Sequence, residues 1–135
     1  ANALEKTLIF SNLSLTKNGI GSQAMKKIAK SLTSNRFLTR LNLRINDIGP
    51  NGAMEISEVL RVNPFLRCLN LEMTTVGSIG AEMIAKSLKT NHSITDLNLW
   101  SCSIEAQGAS SLAEAFKVNQ KLETVNLGYN RFGDE

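Results

Sequence analysis

The stretch "LTRLNLRINDIGPNGAMEISEVLRVNPF" (Leu38 to Phe65) decides the fold, because the chain goes on to repeat it. "LRCLNLEMTTVGSIGAEMIAKSLKTNHS" (Leu66 to Ser93) lies over it without a gap, and "ITDLNLWSCSIEAQGASSLAEAFKVNQK" (Ile94 to Lys121) lies over both. The step is 28 residues each time. One step back gives "FSNLSLTKNGIGSQAMKKIAKSLTSNRF" from Phe10, and one step forward gives the partial unit "LETVNLGYNRFGDE" from Leu122. The first residues align with the end of an earlier unit, Leu4 falling on Leu32. A fixed period of this length is the mark of a repeat architecture.

The shared line is LxxLxLxxNxIGxxGAxxIxxxLxxN. Its first part alternates and reads as a short strand. Its second part carries apolar pairs at i, i+4: Ile28 and Leu32, Ile56 and Leu60, Ile84 and Leu88, Leu112 and Phe116. That spacing places each pair on one helix face. One unit cannot bury its apolar side alone, whereas stacked units can. The fold expected is therefore an α/β solenoid, a single domain over residues 1–135 with repeats starting near 10, 38, 66, 94 and 122 and partial units at both ends. Strands sit about 4.8 Å apart and packed helices about 8–10 Å. The stack must curve into a horseshoe segment, with strands inside and helices outside.

This line resembles the leucine-rich repeat of the ribonuclease-inhibitor type, and its "NxIGxxGAxxIAxxLxxN" form is similar to the repeats of NOD-like receptors. The resemblance covers essentially the whole chain. It implies a parallel-stranded inner face and a role as a recognition or scaffold surface for proteins.

Composition fits that reading. The chain has 135 residues, 42% hydrophobic and 20% charged, with a net charge of +3. It contains no apolar run of the ~20 residues needed to span a bilayer, and "ANALEKTLIF" lacks the basic start and apolar core of a secretory leader. No membrane association is expected. Two cysteines, Cys68 and Cys102, are too few for a disulfide framework, and free thiols suit a reducing, cytoplasmic setting. The N-x-S matches at Asn12 and Asn91 are taken as chance.

Individual columns have readable roles. Asn18, Asn46 and Asn130 follow the strands, where an amide can bond the turning backbones; Thr74 and Cys102 replace asparagine in the middle units. Gly21, Gly49, Gly77 and Gly133 recur after the turn aliphatic, and Glu105 breaks that column. Gly52, Gly80 and Gly108 should let the helices approach the strand layer. Asn35, Asn63, Asn91 and Asn119 follow the helices, where asparagine can take a left-handed cap. Lys30, Glu58, Lys86 and Glu114 alternate in sign from unit to unit and should favour register weakly. His92, the sole histidine, is expected to be a surface turn residue. No catalytic set, phosphate-binding loop, metal site or cofactor motif emerges.

The strand phase assigns the inner face. Ser14, Asn42, Asn70, Asn98 and Asn126 form one outward column and should hydrogen-bond from strand to strand as a polar ladder. Thr16, Arg44, Glu72, Trp100 and Gly128 form the next, beside Lys17, Ile45, Met73, Ser101 and Tyr129. Trp100, the only tryptophan, therefore faces away from the core, where it can shield bare Gly128 or anchor a partner. Aromatic, methionine and arginine side chains are enriched at interface cores. The expected partner-binding residues are Arg44, Glu72, Met73, Trp100 and Tyr129, and the expected partner is a protein or peptide. Ran GTPase-activating proteins have similar repeats, which makes GTPase activation the alternative, although no residue set here carries over from them. Nucleic acid is disfavoured, because Glu72, Asp96 and Glu123 interrupt the patch of Arg40, Arg44 and Arg67. The chain reads as a segment of a longer array, or one whose ends pair with other copies.

Overall fold

The computed structural model describes residues 11–133. The start of the first unit at Phe10, the Leu4–Leu32 match and the last two residues lie outside that range. Five three-residue strands form one parallel sheet in chain order: β1 (Asn12–Ser14), β2 (Arg40–Asn42), β3 (Cys68–Asn70), β4 (Asp96–Asn98) and β5 (Thr124–Asn126). Four helices separate them: α1 (Ser22–Ser34), α2 (Gly49–Val62), α3 (Gly77–Leu88) and α4 (Ala106–Val118). Register follows the repeat, so Leu41, Leu69, Leu97 and Val125 stand side by side. Leu43, Leu71 and Leu99, one alternation further on, are also buried. With Ile56, Leu60, Ile84, Leu88 and Leu112 from the helices they make one continuous core.

Backbone bonds between units continue beyond the formal strands. Leu71 and Met73 donate to the carbonyls of Asn98 and Trp100, and Leu99 and Ser101 to those of Asn126 and Gly128. The column containing Trp100 is therefore held to its neighbours as firmly as the strands themselves. Immediately after it the chain turns through a left-handed residue in every unit: Lys17, Ile45, Met73, Ser101 and Tyr129 all have φ between 53° and 57°. That conformation is costly for a β-branched residue such as Ile45; the repeated ladder holds it in place.

The asparagine column after the strands does what its chemistry allows. The Asn46 side-chain oxygen accepts from the amides of Asn18 and Ile20, and its NH2 donates to the carbonyls of Leu15 and Leu43. Asn130 repeats the pattern with Cys102, Ile104, Leu99 and Leu127. Thr74 and Cys102 are each hydrogen-bonded to the Leu71 carbonyl through their side chains, and their own carbonyls accept from Gly49 and Gly77. The consequence is a rule across units. Where the next unit supplies asparagine, the residue before the helix is extended: Gly21 has φ −99° and Glu105 φ −101°. Where it supplies threonine or cysteine, the equivalent residue opens the helix in a left-handed conformation: Gly49 has φ 68° and Gly77 φ 70°. Glu105 breaks the glycine column because Asn130 makes glycine unnecessary there. Gly21 is accordingly not strained, and in its unit Gly19 takes the positive φ instead.

Three further expectations are corrected. Asn35, Asn63 and Asn119 are extended, with φ from −73° to −90°, not left-handed. They and Asn91 form a second ladder instead. The Asn63 oxygen accepts from the amides of Phe65 and Leu66, and its NH2 reaches back to the Leu32 and Asn35 carbonyls of the preceding unit. Asn119 does the same; Asn91, which is buried, reaches back to the Leu60 carbonyl, while the Ser93 hydroxyl donates to the Asn63 carbonyl in its place. Gly52, Gly80 and Gly108 serve helix–helix approach: a Cβ at Gly80 would lie 2.7 Å from the Ala53 Cβ and from a Val76 methyl. The alternating helix charges pair within a helix, Glu58 with Arg61 and Glu114 with Lys117, rather than between units.

Candidate functional site on the inner face

The inner face of the sheet carries a hollow of about 630 Å3, lined by residues from all five strands. Its polar floor is rigid for a local reason. In the column of Asn42, Asn70, Asn98 and Asn126, each side-chain oxygen accepts from the amide two residues on: Arg44, Glu72, Trp100 and Gly128. These are turns within each strand, not the strand-to-strand amide ladder expected from the sequence. They fix the backbone that presents the next column.

That column holds Arg44, Glu72 and Trp100 of the anticipated site residues, and the column after it holds Met73 and Tyr129. Arg44 Nε donates to Glu72 Oε1 at 2.9 Å, with the two side chains 41% and 20% exposed. Asn98 Nδ2 donates to the other Glu72 oxygen at 3.4 Å. Trp100 lies half-buried over Gly128: a Cβ on Gly128 would come within 2.8 Å of the indole Cδ1 and 3.1 Å of Nε1. The same indole packs against Tyr129, with ring centroids 4.8 Å apart and planes tilted by 41°. Tyr129 is 81% exposed and Met73 41%, and the Met73 amide donates to the Trp100 carbonyl. The structure thus joins Arg44 to Glu72, and Trp100 to Tyr129, with Met73 tied to Trp100 through the backbone. Tilted aromatic pairs of this kind contribute about 0.5–1.5 kcal/mol beyond area burial.

A row passed over in the sequence as a partner site lies on the far side of the asparagine column from these residues. Arg40, Cys68, Asp96 and Thr124 occupy equivalent register positions on β2 to β5 and line the hollow. The Cys68 thiol donates to one Asp96 oxygen at 3.2 Å, and the Thr124 hydroxyl donates to the other. Those donors, Thr124 first, hold the Asp96 carboxyl below its usual pKa. Partial burial, then the Asp96 hydrogen bond, pushes the Cys68 thiol up. The signal was available: the same alternation that put asparagines on the inner face puts this row two residues earlier.

The remaining candidates fall elsewhere. Cys102 is buried in the turn, and burial raises its pKa. His92 is exposed after α3. Among the described residues no cluster of histidine, cysteine, aspartate or glutamate could hold a metal ion, and no helix is long and apolar enough to cross a membrane.

The leucine-rich repeat family pattern matches residues 34–57, 62–85, 90–113 and 118–135. The chain belongs to the leucine-rich repeat family. Its repeats place Trp100 and Tyr129 where consecutive units meet, so the aromatic pair is a product of the repeat register. No curated protein matches the chain in sequence. Solved structures with the same fold include leiomodin-1 actin-binding site 2, with a TM-score of 0.83 and 16% identity, over 98% of this chain and 77% of that one. Another is the tropomodulin C-terminal domain of Caenorhabditis elegans, with a TM-score of 0.80 and 15% identity, over 95% and 80%. At that identity the likeness concerns the leucine-rich repeat solenoid itself.

Proposed function

We propose that this leucine-rich repeat chain is a non-enzymatic protein-interaction module that binds a protein or peptide on its inner face. Trp100, Tyr129 and Met73 form the centre of the contact, and the Arg44–Glu72 pair is its polar rim. One observation carries this reading. A tyrosine 81% exposed leans on a half-buried tryptophan just past the ends of β4 and β5, an arrangement with a preorganised apolar surface and little order left to lose on binding. The unpaired thiols suit a cytoplasmic partner.

Two probes test it. Leiomodin-1, a neighbour in fold, is described by an actin-binding site, so filamentous actin is the first defined partner for co-sedimentation. Affinity purification from the source cells, quantified by mass spectrometry, supplies the second. Wild-type protein is compared with a Met73→Ala, Tyr129→Ala variant. Loss of the captured partner in the variant, with the cooperative fold retained at the assay temperature, supports the site. Identical capture by both proteins moves the binding surface elsewhere.

A further inference from the structure

We propose that the leucine-rich repeat face recognises an extended partner segment bearing an acidic and a basic side chain two residues apart, the acid over β2 and the base over β4. This rests on the inner face being the binding surface and deepens that reading by naming the partner's charge pattern.

The face is electrically polar across its strands. In the row that lines the hollow, Arg40 stands on β2 and Asp96 on β4, with neutral Cys68 between them. Arg44 and Glu72 repeat the order on neighbouring strands, close enough to pair. The ion pairs among the described residues are Arg44–Glu72, Arg61–Glu58 and Lys117–Glu114. Arg40 and Asp96 both line the hollow and form no ion pair with each other, although the Arg40 charge helps to hold the Asp96 carboxyl below its usual pKa. Two strand steps place them about 10 Å apart, beyond direct contact.

Asp96 is also preorganised as an anion. Its hydrogen-bond donors are the Thr124 hydroxyl and the Cys68 thiol, which orient the carboxylate without cancelling its charge. Arg40 is exposed. A ligand ion at each position would form a charge-assisted contact. In an extended segment, side chains at i and i+2 project to the same face about 6.6 Å apart, and flexible glutamate and lysine arms span the remainder. A segment with like charges at both positions would meet repulsion at one of them.

The test uses the whole chain and capped octapeptides, measured by calorimetry. The peptides share a neutral sequence and differ only in a central Glu-x-Lys, Glu-x-Glu, Lys-x-Lys or Gln-x-Gln. Wild-type protein should bind Glu-x-Lys about tenfold more tightly than Gln-x-Gln, and this advantage should shrink as salt rises. Arg40→Glu should shift the preference to Lys-x-Lys, and Asp96→Lys to Glu-x-Glu. Arg40→Gln and Asp96→Asn, which keep shape, should each lower the Glu-x-Lys affinity without affecting melting. The same ranking in every variant overturns the proposal, as does the absence of binding by any peptide at millimolar concentration. The Met73→Ala, Tyr129→Ala variant separates the two readings. If it keeps the peptide preference but also keeps every captured partner, the aromatic site fails and the charge register stands.

Discussion

Trp100 shows at the scale of one residue why a strand position can serve structure and binding together. Its indole covers Gly128 and leans on Tyr129, so Trp100→Ala should lower stability by about 1 kcal/mol through the lost ring contact alone. Tyr129→Ala removes the same ring contact from a largely exposed side chain, and denaturant melts should move by about 0.5–1.5 kcal/mol. Gly128→Ala makes a third, independent test. Its new Cβ would collide with the indole at 2.8 Å, so tryptophan emission should shift while the fold persists; an unchanged spectrum would mean that the ring does not rest there. The two thiols provide a fourth. Cys68 lies partly exposed on the inner face and Cys102 is buried, so native alkylation should modify Cys68 far faster. Both pKa values are raised, so Cys68 should still react more slowly than a free thiol at neutral pH, and raised pH should speed it. Alternation in the sequence was enough to place Trp100 and Cys68 on the inner face and Cys102 in the turn. The stacking of Tyr129 was not legible, because it depends on a left-handed backbone at a residue whose type does not announce it.

The turns and ladders show what one element imposes on the next. Asn63 is buried and uses its amide for four bonds that reach across two units. Asn63→Ala strands buried backbone groups, at a cost of about 2–4 kcal/mol; a loss below 1 kcal/mol in urea melts would show that the second ladder is incidental. The turn rule makes a coupled prediction. Gly49→Ala should cost about 1 kcal/mol or more, since Gly49 is left-handed at φ 68°. In a Thr74→Asn background the loop can adopt the extended form seen before α1 and α4, and the same substitution should cost markedly less. A double-mutant cycle measures the difference, and strict additivity would refute the rule. Here the sequence was legible by column but misleading by unit. Glycine recurrence suggested one strained position throughout, whereas the strain at Gly49 and Gly77 is set by Thr74 and Cys102 on the following unit. The helix-end asparagines were visible as a strict 28-residue column. Their role as cross-unit bonds was missed because a left-handed cap is a local explanation and the real one spans two repeats.

For the whole molecule, the repeat explains both the core and the location of the candidate surface. Parallel strands at fixed register stack equivalent residues, so one substitution per unit writes a chemical gradient across the inner face. Arginine on the earlier strands and carboxylate on the later ones is such a gradient, and it was legible only as an interruption of a basic patch until the register was known. The fold class was readable from the 28-residue line, because stacking leaves few alternatives for its apolar columns. The outer helices pair their charges internally and present no comparable pattern, so Lys86→Ala should change neither melting nor binding. The most direct measurement is amide hydrogen exchange of the chain alone and with its recovered partner. Binding on the inner face predicts added protection at the strand ends and turns around residues 67–74, 95–102 and 123–131, with α1 to α4 unchanged. Protection confined to the outer helices, with those strand ends unaltered, would contradict it.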